Sequence, residues 1–189
     1  MSIVSLVAGA LLAGAVWALP IVAFAEQLDP MLAGLTEGDL GPGFTLDELH
    51  SGRSDLGPVA LYSAVYRRDP SAGAETPFAQ PSASIVGYLV SISRVGPLAG
   101  LLEGGLTGMP GAAEAAPEAT PVSGPLVGER TYWYRFSQAD DDGVRYEGYA
   151  VGFSQKNGAA ILFTLGNEGQ SSVEETADWA NVVAIRLAI

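Results

Sequence analysis

Five aromatic residues on two neighbouring stretches carry the densest recognition chemistry of this chain: Tyr132, Trp133 and Tyr134, then Tyr146 and Tyr149. Exposed together, such rings form a platform for a sugar, a small ligand or a protein partner. Turned inward, they are sheet core and cross-strand pairs. Other reactive residue types are scarce. His50 is the one histidine, which excludes His-ligand clusters and most catalytic triads, and its expected place is a surface turn. The chain has no cysteine, which removes disulfides, thiol nucleophiles, Cys-ligated metals and a lipid-modified cysteine together. Asp140-Asp141-Asp142-Gly143 offers carboxylates, but they are contiguous. A calcium loop spaces its ligands at alternate positions and closes on a bidentate Glu, so this run is expected to be a solvated hairpin turn. Arg67-Arg68 is too short for an anion site without a partner. Gly104-Gly105 lacks the strand–glycine–lysine arrangement of a phosphate loop. Arg135, Arg145 and Glu147 are expected to alternate outward as surface ion pairs of small value. No catalytic residue, cofactor site or metal site is assigned.

The elements that must position these groups follow from hydrophobic period and turn chemistry. Arg130 to Phe136 alternates Tyr132, Tyr134 and Phe136 against Thr131, Trp133 and Arg135. Val144 to Phe153 sets Tyr149, Val151 and Phe153 against small Gly148, Ala150 and Gly152. Ala159 to Leu165 returns with Ile161, Phe163 and Leu165 on one face. Lys156-Asn157-Gly158 lies between the last two, and Asn-Gly suits the positive φ angles of a type I′ hairpin. Three consecutive antiparallel strands are therefore expected. Upstream, Val59 to Arg68 alternates clearly, Ser84 to Val95 is apolar on both faces as a central strand would be, and Phe44 to Leu49 is a weaker strand. Ser51 to Pro58 is expected to be a turn. Ser171 and Ser172 are both suitable N-caps for a closing helix. Its stripe is Val173, Ala177, Ala180, Val183, Ala184 and Leu187, with Glu174, Glu175 and Asp178 at the start and Arg186 at the end. The fold class is α+β: an antiparallel sheet of five or six strands with the C-terminal helix packed on it. From about residue 105 to 128 the chain is rich in Pro, Ala and Gly. With little to bury, Gly108–Pro125 is expected to be a mobile insert within a single domain spanning residues 26–189.

All twenty-one acidic and nine basic residues follow Ala25, giving a net charge of −12. Such acidity argues against nucleic acid or an anionic membrane surface as partner. Arginine outnumbers lysine eight to one and Ala and Gly are abundant, a codon signature of a GC-rich bacterial genome. Met1 to Ala25 carries no charged side chain, Ile3–Phe24 is almost wholly apolar, and Ala23-Phe24-Ala25 precedes Glu26. That pattern is an export signal with a peptidase site, or a retained membrane anchor, since about 20 apolar residues span a bilayer. Pro20 and Ala23-Phe24-Ala25 favour cleavage. The missing basic N-region points to an atypical signal or an upstream start codon. The expected location is secreted or extracytoplasmic, touching membrane only through residues 3–24 where they are kept.

A short helical lead, then Asp39-Leu40-Gly41-Pro42-Gly43-Phe44-Thr45, then aromatic strands, the hairpin Gly148–Phe163 and a terminal helix make up the layout. This order resembles the small exported Mog1/PsbP-like domains, including LpqN-type bacterial proteins. The resemblance covers most of the chain after Ala25 and implies an antiparallel sheet with helices packed on it. It also implies a binding or assembly role, with no shared catalytic residues to carry over. The insert Gly108–Pro125 departs from that layout. Two functions then compete. One is a non-enzymatic exported module, without cofactor, that binds a protein, an envelope component or a small ligand. The other is an extracytoplasmic hydrolase working through carboxylates alone, which requires a cleft holding two carboxyls with raised pKa values.

Overall fold

The computed structural model describes residues 29–57, 59–68, 83–93, 119–139 and 145–188. The N-terminal segment, the acidic run at 140–143 and residues 105–118 of the insert lie outside the described residues.

Two short helices open the described chain, α1 (Pro30–Ala33) and α2 (Glu37–Leu40). Asp29 caps the first, its side chain accepting from the Met31 amide, and Pro30 occupies the first turn where no amide is needed. The strands are β1 (Phe44–Leu46), β2 (Gly52–Leu56), β3 (Val59–Arg68), β4 (Ile85–Ser93), β5 (Ala119–Pro121), β6 (Arg130–Ala139), β7 (Arg145–Gln155) and β8 (Gly158–Asn167). A final helix, α3, covers Val173–Leu187. The fold is α+β. All the strands join one antiparallel sheet in the order β1-β3-β4-β8-β7-β6-β5, with β2 also paired to β3.

Among the described residues the sheet thus has eight strands where five or six were expected. One addition is β2, inside the stretch expected to be a turn. Its residues are all exposed, so it carries no apolar alternation and holds its place through pairing with β3. The other is β5, three residues inside the expected insert, which bonds along the edge of β6. Residues 123–126 after it are exposed, but two contacts tie this stretch to the domain. Val127 is fully buried, and the Trp133 indole donates to the Pro125 carbonyl at 2.8 Å.

One face of the sheet holds the core. A single row crosses five strands there: Ala64, Tyr88, Leu162, Val151 and Trp133 are successive cross-strand partners, and all are buried. Helix α3 covers the β7 and β8 part of this row, and α1 packs on its β3 and β4 part. The N-cap of α3 is Ser172, accepting from the Glu175 amide at 3.0 Å, and Ala177, Ala180, Val183, Ala184 and Leu187 of the expected stripe are buried. The stripe is wider than expected, because Thr176 and Trp179 are buried too. Trp179 meets Phe44 edge to face, with ring centroids 5.9 Å apart. Ala160 and Gly158 of β8 let the helix come close. A Cβ at Gly158 would lie 2.6 Å from a Leu187 methyl.

The β7–β8 hairpin forms, but its two-residue loop is Lys156–Asn157, one position earlier than the Asn-Gly signal implies. Lys156 takes the positive φ, 48°. A one-residue slip would turn Phe153, Leu162 and every neighbour to the opposite face, so the core fixes the register and the turn residues yield.

At the other side of the core, Tyr66 and Tyr88 both donate to the Leu35 carbonyl, at 2.8 and 3.1 Å, and their rings stack. Burial pushes both phenols above their ordinary pKa. Arg186 of α3 closes this corner. It donates to the Gly34 carbonyl and, through two nitrogens at 2.9 and 2.8 Å, to both oxygens of Asp39. Burial alone would raise the Asp39 carboxyl, but bonds from Arg186 and Thr36 outweigh it and hold the pKa below the usual carboxylate value. A depressed folded pKa stabilises the protein above the unfolded pKa, and that gain is lost as pH falls through the folded value. Arg186→Met should therefore cost about 2 kcal/mol at neutral pH, as loss of a charge-assisted pair. The gap between wild type and variant should narrow once Asp39 is protonated. Denaturant midpoints on both sides of the carboxylate range measure this; an undiminished gap in acid would assign the loss to packing.

Candidate functional site

Strand alternation divides the five aromatic residues between the two faces of the sheet. Trp133 and Tyr149 point to the side of α3, where Trp133 is core and Tyr149 packs at its margin. Tyr132 and Tyr134 occupy the alternate positions of β6 on the other face, and Tyr146 the alternate position of β7. Tyr134 is only 7% exposed, while Tyr132 and Tyr146 are half-buried. The structure therefore brings Tyr132 and Tyr134 together and leaves Trp133 on the opposite side of the same strand.

The face turned away from α3 has a distinct relief. Cross-strand partners place Leu89, Ile161, Gly152 and Tyr132 in one row, and Gly87, Phe163, Ala150 and Tyr134 in the next. A third row contains Ile85, Leu165, Gly148 and Phe136. Small residues of β7 thus run between a ridge from β8 and a ridge from β6, a shallow apolar furrow along Gly148, Ala150 and Gly152, in which the two glycines are buried beneath their neighbours and Ala150 is half-buried. Ile161, Phe163 and Leu165 are half-buried, as are Tyr132 and Phe136. Phe136 leans over Gly148 and Phe163 over Gly87, since a Cβ at either glycine would lie within 2.5 Å of the ring. The small-against-large alternation of Val144–Phe153 was the signal for this furrow. Attention to the aromatic residues alone missed the role of β8.

Polar chemistry lies elsewhere. Arg135 and Glu147, expected to alternate outward, sit on the α3 side, where Glu147 is 7% exposed. Its Oε1 accepts from Arg135 Nε at 2.8 Å and from the Tyr149 hydroxyl at 3.1 Å. Burial first, then the Glu147 carboxylate, raises the Tyr149 phenol, which stays protonated and donating. This trio satisfies a carboxylate held at the sheet margin. At the β1 edge, His50 lies exposed in a short 3-10 turn, Glu48–His50. Its Nδ1 is 2.9 Å from Asp47, which also accepts from Arg67 Nε at 2.7 Å. Arg67, then His50, hold the Asp47 carboxyl below its ordinary value. The shifted carboxyls, Asp39 and Asp47, both move downward, opposite to the direction a general acid needs at neutral pH. Among the described residues, no group of three or more His, Asp or Glu side chains is placed to hold a metal ion.

Comparison of the chain with family models, with curated proteins and with solved structures returns no match.

Proposed function

We propose that this chain is an exported, non-enzymatic binding or assembly module of the bacterial cell envelope, and that it binds through the furrowed face of its sheet. The observation that supports this reading is the distribution of helices and apolar surface. The packed core and α3 occupy one face, while the opposite face presents Leu89, Ile161, Phe163, Leu165, Tyr132 and Phe136, half-buried, around a floor of small residues. Apolar surface gathered in one region marks an interaction site more often than scattered apolar residues do. The layout resemblance to Mog1/PsbP-like domains, the uncharged first twenty-five residues and the acidic domain that follows favour the same class. A protein segment, an envelope component or a small ligand with an apolar side fits this surface. Nucleic acid does not, given the net charge of −12.

The absence of cysteine makes the test simple. Ile161→Cys, on the furrow wall, and Asp178→Cys, on the exposed side of α3, can each carry one photo-crosslinker on the full chain. In envelope extracts from the native host, the label at 161 should give a discrete adduct that excess unlabelled protein competes away, and the label at 178 should not. An adduct only from position 178, or none that competes, would overturn the assignment of the face.

A further inference from the structure

Three large apolar side chains lie exposed where the described chain begins and where α3 ends. Met31 and Leu32 of α1 are 59% and 68% exposed, and Ile185 in the last turns of α3 is 67% exposed. They belong to neighbouring elements. Helix α1 packs against α3, and Arg186, next to Ile185, donates to the Gly34 carbonyl just after α1. Neither helix needs these residues for its own burial, since α1 buries Pro30 and Ala33 and α3 buries its opposite stripe. The three exposed side chains thus lie on adjoining elements, close in the chain to the point at which residues 1–28 join the domain.

What joins there sets the occupant. The last residue of the uncharged stretch is Ala25, and only Glu26, Gln27, Leu28 and Asp29 separate it from Pro30. Four extended residues reach about 14 Å at most. Asp29 is itself fixed, bonded to the Met31 amide and to Arg53 Nη1, both at 3.0 Å. A segment such as Ile3–Phe24, kept in a bilayer, would hold α1 at the depth of the headgroups, where apolar side chains of a surface helix insert by about 5–10 Å. We infer that the corner formed by Met31, Leu32 and Ile185 rests on the membrane surface, with residues 3–24 retained as the anchor. The inference rests on the export reading and chooses retention over cleavage. The lipid it fits is zwitterionic: a domain of net charge −12 is repelled by anionic headgroups. The contact leaves the furrowed face of the sheet free, because that face lies on the side of the sheet opposite α1 and α3.

The experiment uses the full chain in phosphatidylcholine vesicles. Leu32→Cys carries a fluorophore at the proposed contact. Glu168→Cys carries it in the β8–α3 turn, exposed and at the opposite end of α3. Flotation with the vesicles reads the anchor, and quenching by nitroxide-headgroup lipid reads the face. The expected result is flotation of both proteins, with emission at position 32 falling by about half or more and emission at 168 unchanged, as insertion to headgroup depth requires. Flotation without quenching at 32 would overturn the contact while leaving the anchor standing. Failure to float would overturn the anchor and the contact with it. Excimer emission from pyrene at position 32 would show that a second copy covers the corner, and would overturn the contact as well.

Discussion

Trp133→Ala should lower the stability of the domain by about 3–5 kcal/mol, the usual cost of removing a buried tryptophan. The side chain is 5% exposed and belongs to the core row on the α3 side of the sheet, next to Val151. It does a second job at the sheet edge. Its indole donates to the Pro125 carbonyl at 2.8 Å, and its ring lies so close to Gly124 that a Cβ there would come within 2.6 Å. One residue thus joins the core to the segment that follows β5. Trp133→Phe keeps much of the ring contact but leaves the carbonyl without its donor, at roughly 1–3 kcal/mol for the lost bond and unfilled volume. Denaturant midpoints should rank wild type, Phe and Ala in that order. Limited proteolysis should cut residues 122–129 faster in both variants. If Trp133→Ala instead left the midpoint unchanged and weakened partner capture, Trp133 would be a binding residue, the role considered for it on sequence grounds.

That outcome bears on what the sequence could and could not convey. Period-two alternation located β3, β6, β7 and β8, because each has one face in the core and side chains report that face directly, whereas β4 was legible as a run apolar on both faces. The same alternation placed Trp133 and Tyr132 on opposite sides of β6, so a single aromatic surface from all five residues was already at odds with the pattern. Two strands were illegible for a physical reason. Exposed Gly52–Leu56 and the three residues Ala119–Pro121 lie at sheet edges, where backbone bonds to β3 and β6 decide the conformation and side chains say little. Contacts between distant positions were illegible too. Arg186 suited the end of a helix dipole, but its partners are Asp39 and Gly34, far away in the chain. Glu147 shares the face of Tyr149 and Val151 by parity, yet its burial depends on Arg135 of the adjacent strand. Gly158 looked like turn chemistry and proves to be clearance for Leu187.

Glycine in the middle of β7 offers the second large effect, because two kinds of neighbour confine it. Gly148→Val should cost about 3 kcal/mol, near the upper end for overpacking. A Cβ at this position would lie 2.0 Å from the Thr164 carbonyl oxygen and 2.5 Å from the Phe136 ring. The ring could swing away; the carbonyl cannot do so cheaply. Thr164 is fully buried, and its hydroxyl is 2.9 Å from that of Thr176 in α3, so moving its backbone disturbs the bond between sheet and helix. Gly87→Ala provides the comparison. The three atoms nearest its Cβ would all belong to the Phe163 ring, the first at 2.2 Å, and a ring on the half-buried face can turn outward. The Gly87 variant should therefore lose less stability, while changing the relief of the furrowed face and weakening capture of a partner by the label at position 161. Equal losses from the two glycines in thermal or denaturant unfolding would show that the sheet gives as readily as the ring, contrary to the role assigned here to Thr164 and Thr176.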